Sequence, residues 1–424
     1  MRERGELLLL VPTRSYRVED FARAAEKLGV SVVLGSDRCH RIEETFGAAE
    51  RLLSLDYRHP ERAAEQIARA AKEHPFRSVV PTDDGTAVIA ALAAERLGLP
   101  RNPPAAARRT ANKLAMRTAL REGGIPVPEF RAFEFSGGPE GPSREVRYPC
   151  VLKPLGLSAS RGVIRADAPG PFAEAFRRIE RILREARAER KPLDEKAQRT
   201  LLVETFVPGA EVALEGLLRG GRLEVLALFD KPDPLDGPFF EETLYVTPSR
   251  HPAAIQRAVE EVAARAAAAL GLEEGPVHAE LRLGPAGPVV LEVAARTIGG
   301  LCGRALRFGA GLSLEEVVVA HAMGLPVPSL AREGRASGVM MLPIPGRGIL
   351  HEVRGVEAAR AVPGVEDLVV TCPLGREVIP LPEGDAYLGF LFARAEAPEA
   401  VEEALREAHR RLAFDIRAPL PVAG

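Results

Sequence analysis

VHAELRLGPAGPVVLEVAARTIGGLCG, residues 277–303, decides how the rest of the chain is read. It reads as two short strands joined by a Gly/Pro turn and running into a glycine-rich loop. Successive side chains of a strand point to opposite faces, so His278, Glu280 and Arg282 share one face of the first strand. The same parity puts Glu292, Ala294 and Arg296 on one face of the second. Two carboxylates on paired strands, with an arginine four residues after the second, can hold a divalent cation beside a phosphate. A buried pair of like charges is costly unless a cation lies between them. Arg296 could then stabilise charge developing on a phosphoryl group or a tetrahedral carbon. Gly299, Gly300 and Gly303 would let substrate atoms come close. The plain alternative is a solvated hairpin face, for which an Arg-Thr-Ile-Gly-Gly exit is an odd choice.

Two upstream stretches carry related chemistry. VLKPLGLSASRGV, residues 151–163, sets Lys153 on a strand before a loop of small residues. Such a loop lets backbone N–H groups approach a phosphate while the lysine supplies a point charge. It is not a GxxxxGK[ST] loop, and an ordinary turn is the alternative. LVETFVPGAE, residues 202–211, carries Glu204 on a strand, then a Pro-Gly turn, then Glu211. An apolar strand edge there could read an adenine ring, and a carboxylate beyond the turn could accept from ribose hydroxyls. An isolated β-hairpin with exposed acids is the commoner arrangement.

Residues 1–104 alternate strands (7–11, 30–35, 77–81) with helices (18–28, 60–73, 86–97), which predicts a doubly wound α/β unit. The first strand is followed by VPTRSY, not GxGxxG, which argues against dinucleotide binding. TDDG at 82–85 lies at the C-terminal end of a strand, where open α/β sheets bind ligands; helix capping by Asp83 and Asp84 is the reading favoured here. Further helices are expected over 105–122, 171–190, 253–270, 314–323 and 398–412, with residues 130–151 irregular apart from a strand at 150–154. Gly98 and Gly271 are placed to close two of the helices.

A chain of 424 residues is too long for one small core. A net charge of −2 gives no support to a global nucleic-acid or membrane role. No apolar run approaches a membrane span, and the run at 7–11 is too short for a signal peptide. Cys39, Cys150, Cys302 and Cys372 are far apart with no CxxC pair, which argues for a reducing cytoplasm and against a zinc site. Seven lysines stand against fifty arginines, so each lysine is easy to notice.

Taken in order behind an α/β domain, Lys113, Lys153 with its small-residue loop, Glu204, Glu211, Glu280, Glu292 and Arg296 resemble the ATP-grasp superfamily over residues 1–330. That resemblance implies an N-terminal doubly wound pre-ATP-grasp domain (1–104), and a central two-subdomain ATP-grasp fold (105–330, lid about 127–206). It leaves a C-terminal α+β region (331–424). It implies ATP and Mg²⁺ or Mn²⁺ as cofactors. Lys113 and Lys153 would contact the ATP phosphates, and Ser158, Ser160, Arg161 and Gly162 would form a mobile loop. Glu204, Phe206 and Val207 would line the adenine, and Glu211 would hold the ribose. Glu280 and Glu292 match the metal ligands, and Arg296 the residue at the acyl phosphate. His278, Gly299 and Gly300 would face substrate. Members commonly read E-[IV]-N-x-R, whereas this chain reads EVAAR, with Ala294 in place of a metal-binding Asn.

Within the superfamily, KPxxxSxSRGV, the HxE strand and ARTIGG look most like L-amino acid ligases and the carnosine-synthase type. Residues 229–249 resemble the part of those enzymes that leads into the acceptor pocket. The implied activity joins a carboxylate and an amine, such as amino acids, through an acyl phosphate, releasing ADP and phosphate. Bicarbonate phosphorylation by a carboxylase, or a non-catalytic ATP-binding module, is the alternative. The apolar helices of residues 1–104 could support a homodimer.

Overall fold

The computed structural model describes residues 5–12, 17–37, 51–188 and 195–418. Cys39 and residues 13–16 of the VPTRSY stretch lie outside the described residues. The first unit is a parallel sheet in the order β3-β2-β1-β4, built from β1 (Glu6–Leu10), β2 (Val32–Ser36), β3 (Arg51–Ser54) and β4 (Phe76–Pro81). Leu7, Leu8, Leu9 and Leu10 are all fully buried, as expected of a strand covered on both faces. Helix α1 (Val18–Lys27) packs on one face, and α2 (Pro60–Ala70) with α3 (Asp84–Leu97) on the other. β3 was not foreseen, because four residues, RLLS, are too few to show a period.

The helix expected over 105–122 is two helices, α4 (Pro104–Thr110) and α5 (Lys113–Glu122). Asn112 breaks it: its side chain accepts from the N–H groups of Leu114 and Ala115, each at 3.1 Å, capping α5. Lys113 therefore becomes the first residue of a new helix.

The stretch expected to be irregular contains β5 (Phe130–Glu134) and a short helix α6 (Pro142–Glu145). With β6 (Cys150–Pro154), β7 (Ile164–Ala166) and β8 (Thr200–Thr205), β5 forms an antiparallel sheet in the order β5-β8-β6-β7. Helix α7 (Pro169–Ala188) lays Phe172, Phe176, Ile179 and Leu183 on it, the i, i+4, i+7, i+11 stripe of its sequence. Each such burial contributes roughly 1.5–3 kcal/mol. A short α8 (Glu195–Arg199) leads into β8. This unit has its own core.

The second large unit is a sheet in the order β13-β12-β9-β10-β11-β14-β18-β16. Its strands are β9 (Glu211–Arg219), β10 (Arg222–Lys231), β11 (Leu244–Thr247), β12 (Gly275–Gly284), β13 (Gly287–Ala294), β14 (Ala336–Leu342), β16 (Val365–Val370) and β18 (Gly389–Ala395). β8 and β9 are therefore not a hairpin, as the sequence allowed: they belong to different sheets, and residues 206–210 cross between them. Helix α9 (Ala253–Leu270) buries its alanine face on β12 and β13, closed by Gly271 in the left-handed conformation at φ 76°. Helix α10 (Leu314–Ala322) reaches back, and Val318 and Val319 join Leu7, Leu9 and Phe21 on the N-terminal sheet. The large sheet continues past residue 330, because β14, β16 and β18 extend it. A small sheet of β15 (Gly348–Arg354), β17 (Glu377–Val378) and β19 (Ala413–Arg417), with α11 (Val356–Arg360) and α12 (Pro398–Arg410), completes the C-terminal part.

Candidate active site

A cleft opens between the small antiparallel sheet and the large one, with the ends of β1 and β4 at its back. The large sheet supplies carboxylates. The register sets Glu280 of β12 directly opposite Glu292 of β13, and His278 opposite Ala294. A bulge between Glu280 and Leu281 skips Leu291, so Leu291 and Glu292 both line the cleft. On the other side of β12, Arg282 pairs with Glu211 and His278 with Glu215.

Lysine neutralises this acidic wall. Lys231 Nζ lies 2.7 Å from Glu211, 2.5 Å from Glu242 and 3.4 Å from Glu280. Glu211 also accepts from Arg282 at 3.1 Å. Oxygens of Glu211, Glu242 and Glu280 lie within 4.8 Å of one another. Burial pushes Glu242 up to about 7, helped by the charge of Glu280 and opposed by Lys231. Burial also works against ionised Glu280, yet Lys231 and His278 hold it well below the usual carboxylate range. His278 lies 3.3 Å from Glu280 and 3.3 Å from Glu215, the latter a charge contact without hydrogen-bond alignment. Burial alone would lower the imidazole; the two carboxylates instead raise it to about 9.

Where β6 and β8 meet α5 there is a second charge network. Arg117, fully buried on α5, donates to Glu204, and Lys153 Nζ lies 2.6 Å from the other Glu204 oxygen. Burial opposes the carboxylate charge, but the two cations bring Glu204 down to about 2. Glu204, expected against adenine, thus has both oxygens engaged. Lys113 donates to the Leu157 carbonyl at 2.6 Å and lies 3.6 Å from Glu292. In the crossing segment, Phe206 is covered by the guanidinium of Arg165 from β7 at 4.2 Å. Arg282 from the large sheet reaches the same ring at 5.0 Å. The Val207 carbonyl accepts from Arg282 at 2.9 Å.

The small-residue loop divides. Ser158, Ala159 and Ser160 line the cleft, Ala159 and Ser160 at φ 54° and 53°. Arg161 and Gly162, expected in the same nucleotide loop, do not line it. Arg161 is buried with Asp385 at 3.7 Å, and the Gly162 N–H donates to the Pro382 carbonyl at 2.9 Å. A Cβ on Gly162 would lie 3.1 Å from Pro154, so this backbone rests against β6.

The N-terminal unit also reaches the cleft. Asp83 caps α3, accepting from the Thr86 N–H at 3.0 Å, as the sequence indicated. Asp84 does something else: it accepts from Arg296 Nη2 at 2.7 Å. Arg17 donates to the Thr82 carbonyl at 2.7 Å and to Thr297. Gly299 and Gly300 line the cleft beyond Arg296. Gly300 sits at φ 62°, where a Cβ would meet the Phe390 ring at 2.8 Å. Ala294 is buried, away from the cleft lining.

Lys153, Glu204, Phe206, Val207, Glu211, His278, Glu280, Glu292 and Arg296 are therefore brought to one cleft, with Lys113. Nothing in the sequence singles out Arg117, Lys231 or Glu242, and Asp84 reads there as a helix cap, not as a partner of Arg296. The scarcity of lysine is a signal that would have found Lys231. Arg117 lies in a helix otherwise read as structural, and nothing local marks it.

A cleft between a four-stranded antiparallel sheet and a carboxylate-bearing sheet, behind a parallel α/β unit, defines the class: this is an ATP-grasp fold. Residues 146–305 match the ATP-grasp domain, 22–101 the ATP-grasp N-terminal domain and 340–417 the L-amino acid ligase C-terminal domain 2. The chain thus carries an ATP-grasp domain behind an ATP-grasp N-terminal domain. Among solved structures, the L-amino acid ligase from Bacillus licheniformis is 25% identical with a TM-score of 0.79, covering 98% of this chain and 100% of that one. N5-carboxyaminoimidazole ribonucleotide synthetase from Thermotoga maritima, 18% identical with a TM-score of 0.70 over 97% and 100% of the two chains, shares the fold. Carnosine synthase 1 of Gallus gallus is 31% identical over 72% of this chain and 35% of its own length. Alanine–anticapsin ligase of Bacillus subtilis (strain 168) is 24% identical over 70% of this chain and 65% of its own. The chain thus spans between about a third and two-thirds of these two relatives. Among the described residues no helix is long and apolar enough to cross a membrane.

Proposed function

We propose that this protein is an ATP-dependent carboxylate–amine ligase, forming an amide bond between amino-acid-like substrates through an acyl phosphate. The observation that carries this reading is the convergence on one cleft of Lys113 and Lys153 with the opposed pair Glu280 and Glu292 and with Arg296. Lys153 is held in place by Glu204, and Lys113 by the Leu157 carbonyl, so both cations stand ready for phosphate oxygens. Phe206 and Val207, at the crossing between sheets, form the adenine wall, and Glu211 faces the ribose.

The donor set fits Mg²⁺ or Mn²⁺. It is all carboxylate oxygen, on facing strands, and its charge is balanced in this structure by Lys231 and Lys113. Glu280 and Glu292 would hold the ion, which would neutralise phosphate charge. Ala294 offers no ligand atom; Glu242, with an oxygen within 4.8 Å of one of Glu280, is the nearby carboxylate that would take that place.

In the first step a substrate carboxylate oxygen attacks the γ-phosphorus of ATP, and the bond to the β-phosphate oxygen breaks. In the second an amine nitrogen attacks the acyl carbon, and phosphate leaves. Arg296, fixed by Asp84, stabilises the oxyanion of the tetrahedral intermediate. The lid keeps water from the acyl phosphate.

The test is phosphate release with Mg-ATP over pairs of L-amino acids, with a bicarbonate arm, followed by product mass. ADP, phosphate and a condensed product are expected. AMP with pyrophosphate would overturn the acyl-phosphate scheme, and bicarbonate-dependent turnover without response to amino acids would make the protein a carboxylase.

A further inference from the structure

The lid meets the rest of the molecule along a polar seam. On one side, residues 236–239 of the β10–β11 connection receive it: the Arg165 N–H donates to the Pro238 carbonyl at 2.9 Å, and Arg165 Nη1 to the Asp236 carbonyl at 2.7 Å. On the other side stands a segment far along the chain. Arg178 of α7 grips Glu383 in a two-pronged pair at 2.6 and 2.9 Å, while lying 4.9 Å over the Phe239 ring. Next to it are the Gly162–Pro382 hydrogen bond at 2.9 Å and the Arg161–Asp385 pair at 3.7 Å. The same segment supplies Asp385 and Tyr387 to the cleft lining.

Two physical facts give this seam its meaning. The lid has its own apolar core, to which the β10–β11 connection adds Phe239 and residues 382–385 add no apolar side chain. The contacts to residues 382–385 are directional ion pairs and a hydrogen bond, which are either made or lost. A planar guanidinium gripping a carboxylate with two parallel bonds fixes orientation as well as distance.

We propose that residues 382–385 of the C-terminal part are a latch for the ATP-grasp lid, with Arg178 and Glu383 as positioning residues. Latching the lid and completing the cleft wall with Asp385 and Tyr387 are then a single event. Arg178 and Glu383 act through the loop at 158–163, whose cleft-facing half carries Ser158 and Ser160 and whose other half rests on Pro382. The latch belongs to the lid and the C-terminal part, and does not depend on which carboxylate is activated.

Amide hydrogen exchange of the full chain tests it, without nucleotide and with Mg²⁺ and a non-hydrolysable ATP analogue. Glu383→Gln and Arg178→Gln should each speed nucleotide-free exchange over residues 158–166 by about three- to tenfold, the weight of one partly exposed charged pair. Exchange over 172–183, in the lid core, should stay at the wild-type rate. The charge swap Arg178→Glu with Glu383→Arg should bring 158–166 back within about twofold of wild type. Wild-type exchange in both single variants, a swap that restores nothing, or an equal rise over 172–183 would each overturn the latch. Absence of nucleotide protection in the wild type would instead count against ATP binding, leaving the nucleotide-free comparison to judge the latch.

Discussion

Arg296 donates to Asp84 at 2.7 Å across 212 residues of chain, so the N-terminal parallel sheet aims the arginine of the large sheet's exit loop. Asp84 is the first residue of α3, and its neighbour Asp83 does the capping, which leaves the Asp84 carboxylate for Arg296. Burial works against the guanidinium charge, but Asp84 and Glu292 raise its pKa further, so Arg296 is cationic at any working pH. The α/β unit thus orients an arginine that lines the cleft.

Asp84→Asn should therefore impair chemistry more than binding. The variant keeps the shape and removes the charge that fixes Arg296. kcat for ADP release should fall about ten- to a hundredfold, with nucleotide affinity changed less than about threefold. Steady-state kinetics beside calorimetric nucleotide binding checks this; an unchanged kcat would detach Asp84 from the mechanism.

Lys153→Ala removes a cation from the lid junction. ATP affinity should weaken by about tenfold or more, since a charge-assisted phosphate contact is lost. Glu204 keeps Arg117 as a partner, so the fold should survive. Nucleotide affinity equal to wild type, by titration calorimetry, would refute the assignment of this lysine.

Glu292→Gln separates charge from shape. Its side chain is partly exposed and its ion-pair partner is Lys113 at 3.6 Å, so little stability rests on it. Turnover should drop by roughly a thousandfold while the melting temperature stays within about 2 °C. Persisting ADP release would remove Glu292 from the metal site.

The buried imidazole of His278 makes an alkaline prediction. Its pKa is raised from 6.5 to about 9, so the folded protein prefers the protonated form. The stability it contributes is fully present below about pH 6.5 and is lost as pH rises through about 9. The full contribution is on the order of 3 kcal/mol. Urea unfolding of wild type and His278→Gln at pH 6.5 and pH 9 should show the gap between them shrinking. A gap that stays constant or widens would mean that His278 is neutral in the folded state.

The parts of the site legible in the sequence are those written in local periods. Strand parity put His278, Glu280 and Arg282 on one face, and the fold keeps them there because β12 is extended between two antiparallel neighbours. The residues that escaped are those whose meaning is a partner. Lys231 looks like a strand end until Glu211, Glu242 and Glu280 surround it. Arg117 looks like a solvated helix position until Glu204 arrives from the lid sheet. Arg161 and Gly162 read as half of a phosphate loop because small-residue composition does not say which side of a turn faces the cleft.

The sequence by itself determined the kind of machine: an α/β unit, then lysines, then a carboxylate-bearing hairpin with an arginine exit, in the order of an ATP-grasp protein. It also determined the Asp83 cap, the closing glycines Gly98 and Gly271 and the faces of β12, since these depend on residues a few positions apart. Only the tertiary structure decided that β8 and β9 join different sheets, that Asp84 holds Arg296, and that residues 382–385 grip the lid. Those decisions rest on ion pairs and sheet edges brought together across as many as 212 residues. A charge seeking a distant partner leaves no period in the chain, because its energy depends on separation in space and not on spacing in sequence.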